Sequence, residues 1–328
     1  MQIEVDIFNI KRNLDIIKKA SKSEVCAVVK ADAYGHGATE ICRILEDDVF
    51  CFAVATYGEA KKLVQHGIKK DVLILGADSA DGEKNIIPSA ISLEDYFKKR
   101  QATRFSIVVN TGMNRLGLNL SELKYVTKSS NIFSVFSHIY SIDSLSSQTK
   151  LFDRAVELLN CDAYNHLYAS NWLYANKKYD FIRCGLNLYG YGMAGLFPAM
   201  RVTAKIIRIA KVRKGENVGY GNYVLDRDAV IATVNTGYRD GFLRKRRCTE
   251  KRYVSINGVK CKVVGQICMD MFMVDVTNVR AKVGDEVCIV GKEMSGEEFS
   301  KQNSTVVYEV LTTFYHREDI IYKNYQNY

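Results

Sequence analysis

The chain has 328 residues, of which 47% are hydrophobic, and it carries a net charge of +9, from 46 Lys and Arg against 37 Asp and Glu. This mix is ordinary for a globular protein, and the length suits two domains or one large barrel with an appendage. We expect no membrane segment, because no apolar run approaches the roughly 18 residues of a span. The first residues also lack the pattern of a signal peptide.

The nine cysteines are scattered and form neither a Cys-x-x-Cys pair nor a zinc-ligand pattern. They therefore favour the reducing cytoplasm and predict no metal site. Part of the positive charge lies in the run Arg244–Arg247, which we interpret as a solvated loop. We expect no nucleic-acid partner, because the run has neither interleaved aromatic residues nor a known binding motif.

Eight short apolar runs recur through the first 190 residues, with polar helical stretches between most of them. One predicted helix is Tyr57–His66, which Gly67 closes. Strands that alternate with helices predict a parallel sheet, and eight of them predict a (β/α)8 TIM-type barrel with its active site at the strand C-termini. The runs end near Lys30, Ala55, Leu75, Ile91, Val109, Ser137, Tyr168 and Leu186.

After about residue 200 the pattern is strand after strand, with Asn257-Gly258 as a type I′ hairpin turn. We predict an α/β fold with a cofactor-binding barrel at 1–200 and a mostly β domain at 201–328. The first few residues of the chain are candidates for pairing with the second domain. The predicted strands are Val202–Val212, Val230–Val234, Tyr253–Val264 (a hairpin), Phe272–Val276 and Glu286–Val290.

Lys30 ends the apolar run Val25–Val29 and is followed by a glycine-containing segment that ends at Gly37. A lysine in this position faces the mouth of the predicted barrel. Its ordinary pKa of about 10.4 has to fall for it to react at neutral pH, and desolvation at a strand end lowers it. Position alone leaves a structural salt bridge as the alternative.

The segment Val28-Val29-Lys30-Ala31-Asp32-Ala33-Tyr34-Gly35-His36-Gly37 closely resembles the pyridoxal 5'-phosphate (PLP) lysine signature of alanine racemases, which combine a barrel with a β domain. Further motifs of that family follow in order through both predicted domains. They are Thr111–Gly117, Ser137-His138, Arg183–Leu186, Gly219–Gly221, Gly237–Gly241 and Ile267–Met271.

The resemblance implies that Lys30 holds PLP as a Schiff base and acts as one catalytic base. Tyr220 matches the second base, and racemisation needs one base on each face of a planar carbanion. Without the motif, Tyr220 is one of 20 tyrosines and would be interpreted as a turn residue. In the family, the residues that Tyr220 and Met269 match belong to the other subunit, so the resemblance implies a homodimer.

Arg183 matches the residue that faces the pyridine nitrogen of PLP. Because arginine stays protonated, it would leave that nitrogen unprotonated and favour proton return over transamination or decarboxylation. We expect His138 to hydrogen-bond Arg183, with a buried core histidine as the alternative.

The other residues carried over from the family contact the cofactor or the substrate. Tyr34, Ser170, Gly185 and Leu186 match contacts to PLP, and its phosphate is expected at the ends of strands 7 and 8. Arg115 matches a residue beside the cofactor oxygen and the substrate carboxylate. The two other substrate-contact candidates are Met269, through its backbone N–H, and Tyr238.

Three departures from the family pattern leave alternatives. Val108 and Asn110 stand where many members carry Lys-x-Asp with a carbamylated lysine. Arg115 must therefore be supported by a bound anion, by Asn110 or by a neighbour. The Asn-Ser phosphate pair aligns with Ala169-Ser170 or Ser170-Asn171. A pocket-shaping tyrosine aligns with Tyr315 or His316.

The predicted function is interconversion of L- and D-alanine for peptidoglycan. The alternatives are a racemase for serine or a larger amino acid and, more distantly, a non-catalytic PLP-binding protein. A decarboxylase is disfavoured by Arg183. The segment Gly190–Gly195 fits G-x-G-x-x-G, but it lacks the βαβ unit and the acidic residue of a dinucleotide site.

Overall fold

The computed structural model describes residues 1–78, 83–173, 175, 177–244, 251–314 and 320–324. The chain divides into two compact units, which are Lys11–Phe197 and the combination of Met1–Ile10 with Pro198–Tyr328. No helix in the described ranges is both long enough and apolar enough to cross a membrane.

The first ten strands, in chain order, are β1 Gln2–Asp6, β2 Glu24–Val28, β3 Cys51–Val54, β4 Val72–Ile74, β5 Ile86–Ile87, β6 Ser89–Ala90, β7 Phe105–Val108, β8 Ile132–Phe136, β9 Tyr164–His166 and β10 Phe181–Cys184. The remaining strands are β11 Met200–Val212, β12 Ala229–Val234, β13 Tyr253–Ile256, β14 Val259–Val264, β15 Phe272–Asp275, β16 Glu286–Val290 and β17 Ile321–Lys323. The helices are Ile7–Ser21, Ala38–Leu45, Tyr57–Gln65, Leu93–Lys99, Leu145–Leu159, Gly296–Gln302 and Val307–Thr313.

The unit Lys11–Phe197 contains two all-parallel sheets, in the orders β10-β2-β3-β4-β5 and β6-β7-β8-β9. Pro88, which has no N–H to donate, separates β5 from β6. The backbone N–H of Arg183 on β10 donates to the carbonyl of Tyr168, which follows β9, at 3.1 Å. Each of the eight predicted runs forms a strand, with β5 and β6 sharing one run.

Burial explains why these strands read as continuous apolar runs. Every residue of β3, β4, β7 and β8 is buried, as expected where both faces of a parallel sheet are covered. The helix Tyr57–Gln65 begins with a capping box between Thr56 and Glu59, and Gly67 beyond its end has a φ of +91°. The predicted helix was one residue longer.

The unit that contains Pro198–Tyr328 is built on one mostly antiparallel sheet, in the order β12-β15-β14-β13-β16-β11-β1-β17. Because β11 also pairs with β12, six of these strands close into a small barrel. Strand β1 pairs antiparallel with β11. Asn257 and Gly258 have φ values of +51° and +77°, which confirms the predicted hairpin turn.

Candidate active site

The segment after Lys30 is a left-handed turn. Residues Ala31–Tyr34 have φ values of 52–54° and ψ values of 40–50°, a conformation that costs an L-residue roughly 1–2 kcal/mol. Four such residues in succession persist only where the surroundings hold them. The strained segment directly follows the lysine that the sequence singled out.

Two carboxylates hold this turn, Glu59 from outside it and Asp32 from within it. Glu59 accepts hydrogen bonds from the backbone N–H of Ala31 at 2.7 Å and of Ala55 at 2.8 Å. Asp32 accepts from the N–H of Ala38 at 2.8 Å. Glu59 thus joins the turn to the end of the neighbouring strand, so the position of Lys30 is set by two strands.

Aromatic packing supports the turn from beneath. The ring of His36 stacks on Tyr189 at 4.4 Å between centroids, and Tyr34 lies 5.1 Å from the same ring. The Tyr189 hydroxyl donates to the carbonyl of Val28 at 3.0 Å. Tyr189 is fully buried, so its ring supports the turn by packing against it.

Tyr34, Ser170 and Gly185 lie together at the ends of the last two strands of this unit. The backbone N–H of Gly185 donates to the Ser170 hydroxyl at 3.1 Å. A Cβ atom at Gly185 would lie 2.5 Å from the Tyr34 hydroxyl oxygen, so any larger residue would displace the Tyr34 ring. Leu186 follows, and its carbonyl accepts from the N–H of Tyr189 at 3.2 Å. Hydroxyls and backbone amides at strand ends are suited to an anion such as phosphate.

Burial and nearby positive charges act on Lys30 and His138. Burial lowers the pKa of the Lys30 amine, Arg115 lowers it further, and Glu59 acts in the opposite direction. Burial, followed by the charges of Arg183, Arg115 and Lys30, lowers the pKa of His138 to about 4. His138 is therefore neutral at physiological pH, and Lys30 is nearer to its reactive, uncharged form than a free lysine.

Arg183 is only 4% exposed and is held by carbonyl groups and one imidazole. Its guanidinium donates to the carbonyls of Ser137 at 2.6 Å, His166 at 2.9 Å and Leu167 at 3.1 Å, and to Nδ1 of His166. Burial lowers the pKa of Arg183 to about 10, so it remains protonated at neutral pH. In the described part of the chain, no carboxylate forms an ion pair with it.

The prediction that His138 hydrogen-bonds Arg183 is wrong, because the histidine that binds the Arg183 guanidinium is His166. His166 ends β9, the strand next to Arg183, whereas His138 lies beyond the end of β8 and its carbonyl is bound by Gln148. Since Arg183 donates to Nδ1, His166 carries its proton on Nε2, 2.9 Å from the Ser134 hydroxyl. A histidine at a strand end was the available sequence signal, and it was missed.

Asn110 organises the loop that carries Arg115. Its side-chain oxygen accepts from the N–H groups of Gly112 and Asn114, both at 3.1 Å, and its amide donates to the side-chain oxygens of Asn114 and Asn119. The backbone N–H of Asn110 also donates to the carbonyl of Leu118 at 2.9 Å, which closes the loop at its base. Val108 is buried within β7. Arg115 is exposed in the loop.

Tyr220, Tyr238 and Met269 belong to the other unit. Tyr220 is 68% exposed in a turn between Gly219 and Gly221, whose φ values are +66° and +84°. The Asn217 amide donates to the carbonyl of Gly219 at 2.6 Å, which fixes the turn while the tyrosine ring stays free of cover.

Backbone hydrogen bonds join the segments that carry Tyr238 and Met269, and the turn that carries Tyr220 packs against Gln266, shortly before Met269. The N–H of Tyr238 donates to the carbonyl of Cys268 at 3.0 Å, and the N–H of Arg239 donates to the carbonyl of Met269 at 3.0 Å. A Cβ atom at Gly221, next to Tyr220, would lie 2.3 Å from the side-chain nitrogen of Gln266. The Met269 side chain is 52% exposed.

The predicted residues thus form two groups, one per unit. Tyr315 and His316 lie outside the described residues, as do Lys245, Arg246 and Arg247 of the basic run. Among the residues that are described, no group of His, Cys, Asp and Glu side chains is arranged to hold a metal ion.

Comparison with known proteins identifies the family. The alanine racemase N-terminal domain matches residues 5–192, and the alanine racemase C-terminal domain matches residues 199–322. Alanine racemase of Thermodesulfovibrio yellowstonii is 31% identical over 96% of this chain and 95% of its own length.

Solved structures agree with this assignment. The Bartonella henselae alanine racemase with covalently bound pyridoxal phosphate has a TM-score of 0.87 and 28% identity, over 98% of this chain and 99% of its own. The Bacillus anthracis alanine racemase with bound L-Ala-P has a TM-score of 0.88 and 26% identity, over 99% and 95%. The chain belongs to the alanine racemase family.

Proposed function

We propose that this protein is a PLP-dependent alanine racemase that interconverts L- and D-alanine. One observation carries the proposal above the others. Lys30, with its lowered pKa, ends a buried strand and is followed by a strained turn that Glu59, Asp32 and Tyr189 hold in place. The amine of Lys30 is therefore held in place close to its reactive form. The relatives are named alanine racemases, and this name indicates the reaction.

The side chains fit the cofactor. The Lys30 amine suits its aldehyde, and Arg183 suits its ring nitrogen. The hydroxyls of Tyr34 and Ser170 suit its phosphate, and glycine at 185 leaves the Tyr34 hydroxyl room beside the backbone. When bound, PLP withdraws electrons from the α-carbon of an amino acid and makes its α-proton acidic.

Lys30 and Tyr220 serve as the two bases in this proposal. Inversion at the α-carbon requires that one group removes the proton on one face and that another returns a proton on the opposite face. Lys30 acts at its amine nitrogen and Tyr220 at its phenol oxygen. Arg115 and the backbone N–H of Met269 orient the substrate carboxylate, and Tyr238 contacts the substrate beside them.

Arg183 selects the reaction type. It stays protonated, and its Nη1 and Nη2 groups are held by carbonyls and by His166, so it can donate to a ring nitrogen but accepts no proton from it. With its ring nitrogen left unprotonated, the cofactor would be a weaker electron sink, which would favour reversible proton transfer over decarboxylation.

We further propose a homodimer in which Tyr220 and Met269 of one copy serve Lys30 of the other. The exposure of both side chains supports this arrangement, because a residue that acts on another chain has to face outward. The enzyme would act in the cytoplasm and supply D-alanine for peptidoglycan.

We also propose that the two parallel sheets are halves of one (β/α)8 barrel, so that 1–200 is the PLP-binding barrel domain and 201–328 the β domain. The hydrogen bond between Arg183 and Tyr168 supports closure on one side, and the short interruption at Pro88 supports continuity on the other.

The first experiment measures the racemisation of L-alanine, with L-serine and L-lysine as competing substrates. The PLP-loaded protein should be yellow and should prefer alanine. Lys30→Ala should lose the covalently held cofactor and at least about 10²–10⁴-fold in rate, the contribution of one acid–base group. Lys98→Ala, at an exposed lysine paired with Glu94, is the control. Racemisation by Lys30→Ala at the wild-type rate would refute the proposal.

A further inference from the structure

Gln148 occupies a position in the helix Leu145–Leu159 that an apolar residue would ordinarily fill. The buried face of this helix consists of Gln148, Phe152, Ala155 and Leu159, and Gln148 is only 1% exposed. Burial of an amide is costly unless its donors and acceptors are matched. A glutamine on this face is therefore expected to have a specific polar task.

All the polar groups of the Gln148 side chain are matched. Its amide nitrogen donates to the Thr111 hydroxyl and to the carbonyl of His138, both at 2.9 Å. Its oxygen accepts from the N–H of Tyr140 at 3.2 Å and lies 2.7 Å from the Ser144 hydroxyl. One side chain thus binds the segment after β7 and the segment after β8.

These two segments carry residues of the candidate site. Thr111 begins the loop that carries Arg115, and its hydroxyl also lies 2.8 Å from that of Ser137. His138 follows Ser137 and lies in the electrostatic field of Lys30, Arg115 and Arg183. Asn110 orders the Arg115 loop internally, whereas Gln148 ties the base of that loop to its neighbour.

We propose that Gln148 is a positioning residue of the reaction, which sets the Arg115 loop against the His138 segment through Thr111 and the His138 carbonyl. The inference rests on the proposed function, because Arg115 matters as a contact to cofactor and substrate. Val108 has no polar group that could support Arg115, and Gln148 supplies part of that support.

The test compares Gln148→Leu, which puts an apolar side chain of similar size in place of the amide and removes its hydrogen bonds, with Asn131→Ala at the opposite end of β8. The Asn131 amide donates to the carbonyls of Arg100 at 3.1 Å and Ala102 at 2.8 Å, so its loss is also structural. Gln148→Leu should lower kcat/KM for alanine about 10- to 100-fold, as expected for a misplaced contact residue. Asn131→Ala should stay within about twofold.

A double-mutant cycle shows whether Gln148 acts through Arg115. In an Arg115→Lys background, Gln148→Leu should cost clearly less than it does in the wild type, because residues that act together are not additive. Full additivity would overturn the inference. If Gln148→Leu does not fold, Thr111→Val, which removes the hydrogen bond from Gln148 to the Arg115 loop together with the Thr111–Ser137 contact, takes its place in the cycle with the same expectation.

A readout that does not depend on activity separates this inference from the proposed function. Backbone hydrogen exchange in residues 110–118 and 138–144 should accelerate in Gln148→Leu and not in Asn131→Ala. Unchanged exchange in both segments would overturn the positioning role even in an active racemase. Wild-type protein without racemase activity would refute the proposed function, and the exchange data would still decide the role of Gln148.

Discussion

The lysine half-site (Lys30, Arg115, His138 and Arg183) and the tyrosine half-site (Tyr220, Tyr238 and Met269) are built in opposite ways. In the lysine half-site, Arg183 is 4% exposed and its guanidinium is fixed by hydrogen bonds, and Glu59 holds the turn after Lys30. In the tyrosine half-site, glycine turns and Asn217 fix the backbone around Tyr220, whose side chain is 68% exposed.

This difference indicates that the two half-sites have separate functions. A strained turn with a desolvated lysine and committed arginine is preorganised, so cofactor capture should depend on the lysine half-site alone. Exposed groups on rigid turns suit contact with something that arrives from outside. Racemisation should therefore require both half-sites, and cofactor binding only one.

The largest expected effect comes from Tyr220→Phe. The variant should bind PLP covalently and remain yellow, but racemise alanine about 10²–10⁴-fold more slowly, because it lacks one of the two bases. Visible absorbance and a coupled racemisation assay measure the two properties separately.

The matched control is Tyr223→Phe in the same turn, which removes the hydrogen bond from Lys262 at 3.1 Å. Its racemisation should stay near the wild-type rate. Loss of bound cofactor in Tyr220→Phe would contradict the separation of the half-sites.

A smaller effect concerns the pH at which Lys30 captures the cofactor. Only the neutral amine reacts, so the capture rate rises with pH until the Lys30 amine is deprotonated. Arg115 lowers the pKa of Lys30 and Glu59 raises it. Arg115→Gln should therefore move the profile to higher pH, and Glu59→Gln to lower pH.

Stopped-flow absorbance of PLP added to apoprotein at a series of pH values measures this. The shifts should shrink at high salt, since exposed charges such as Arg115 are screened. Shifts in the same direction for both variants would show that the charges do not act on Lys30 as described.

The strand frame could be predicted because the buried parallel strands are mostly apolar, and each predicted run ends within a few residues of a strand end. The left-handed turn could not, because Ala31 and Tyr34 have no local preference for it. It depends on Glu59, 28 residues away. Lys30 and Tyr220 were recognisable only through the motifs around them.

The links that were missed join residues far apart in sequence. The hydrogen bond from Arg183 to His166 forms because β9 and β10 are neighbours. The hydrogen bonds of Gln148 form because the helix Leu145–Leu159 lies beside the ends of β7 and β8. For the bonds of Gln148, the one sequence signal is a glutamine on the apolar face of a helix. This signal can be recognised only when the buried face of that helix is known.

Complementation between two inactive variants tests the central claim most directly. Lys30→Ala and Tyr220→Phe chains carrying different tags are co-expressed, and the mixed species is purified through both tags. If Lys30 of one copy works with Tyr220 of another, each mixed dimer has one intact site, and its activity should reach about half that of the wild-type dimer. Activity no higher than that of either variant alone would contradict the account.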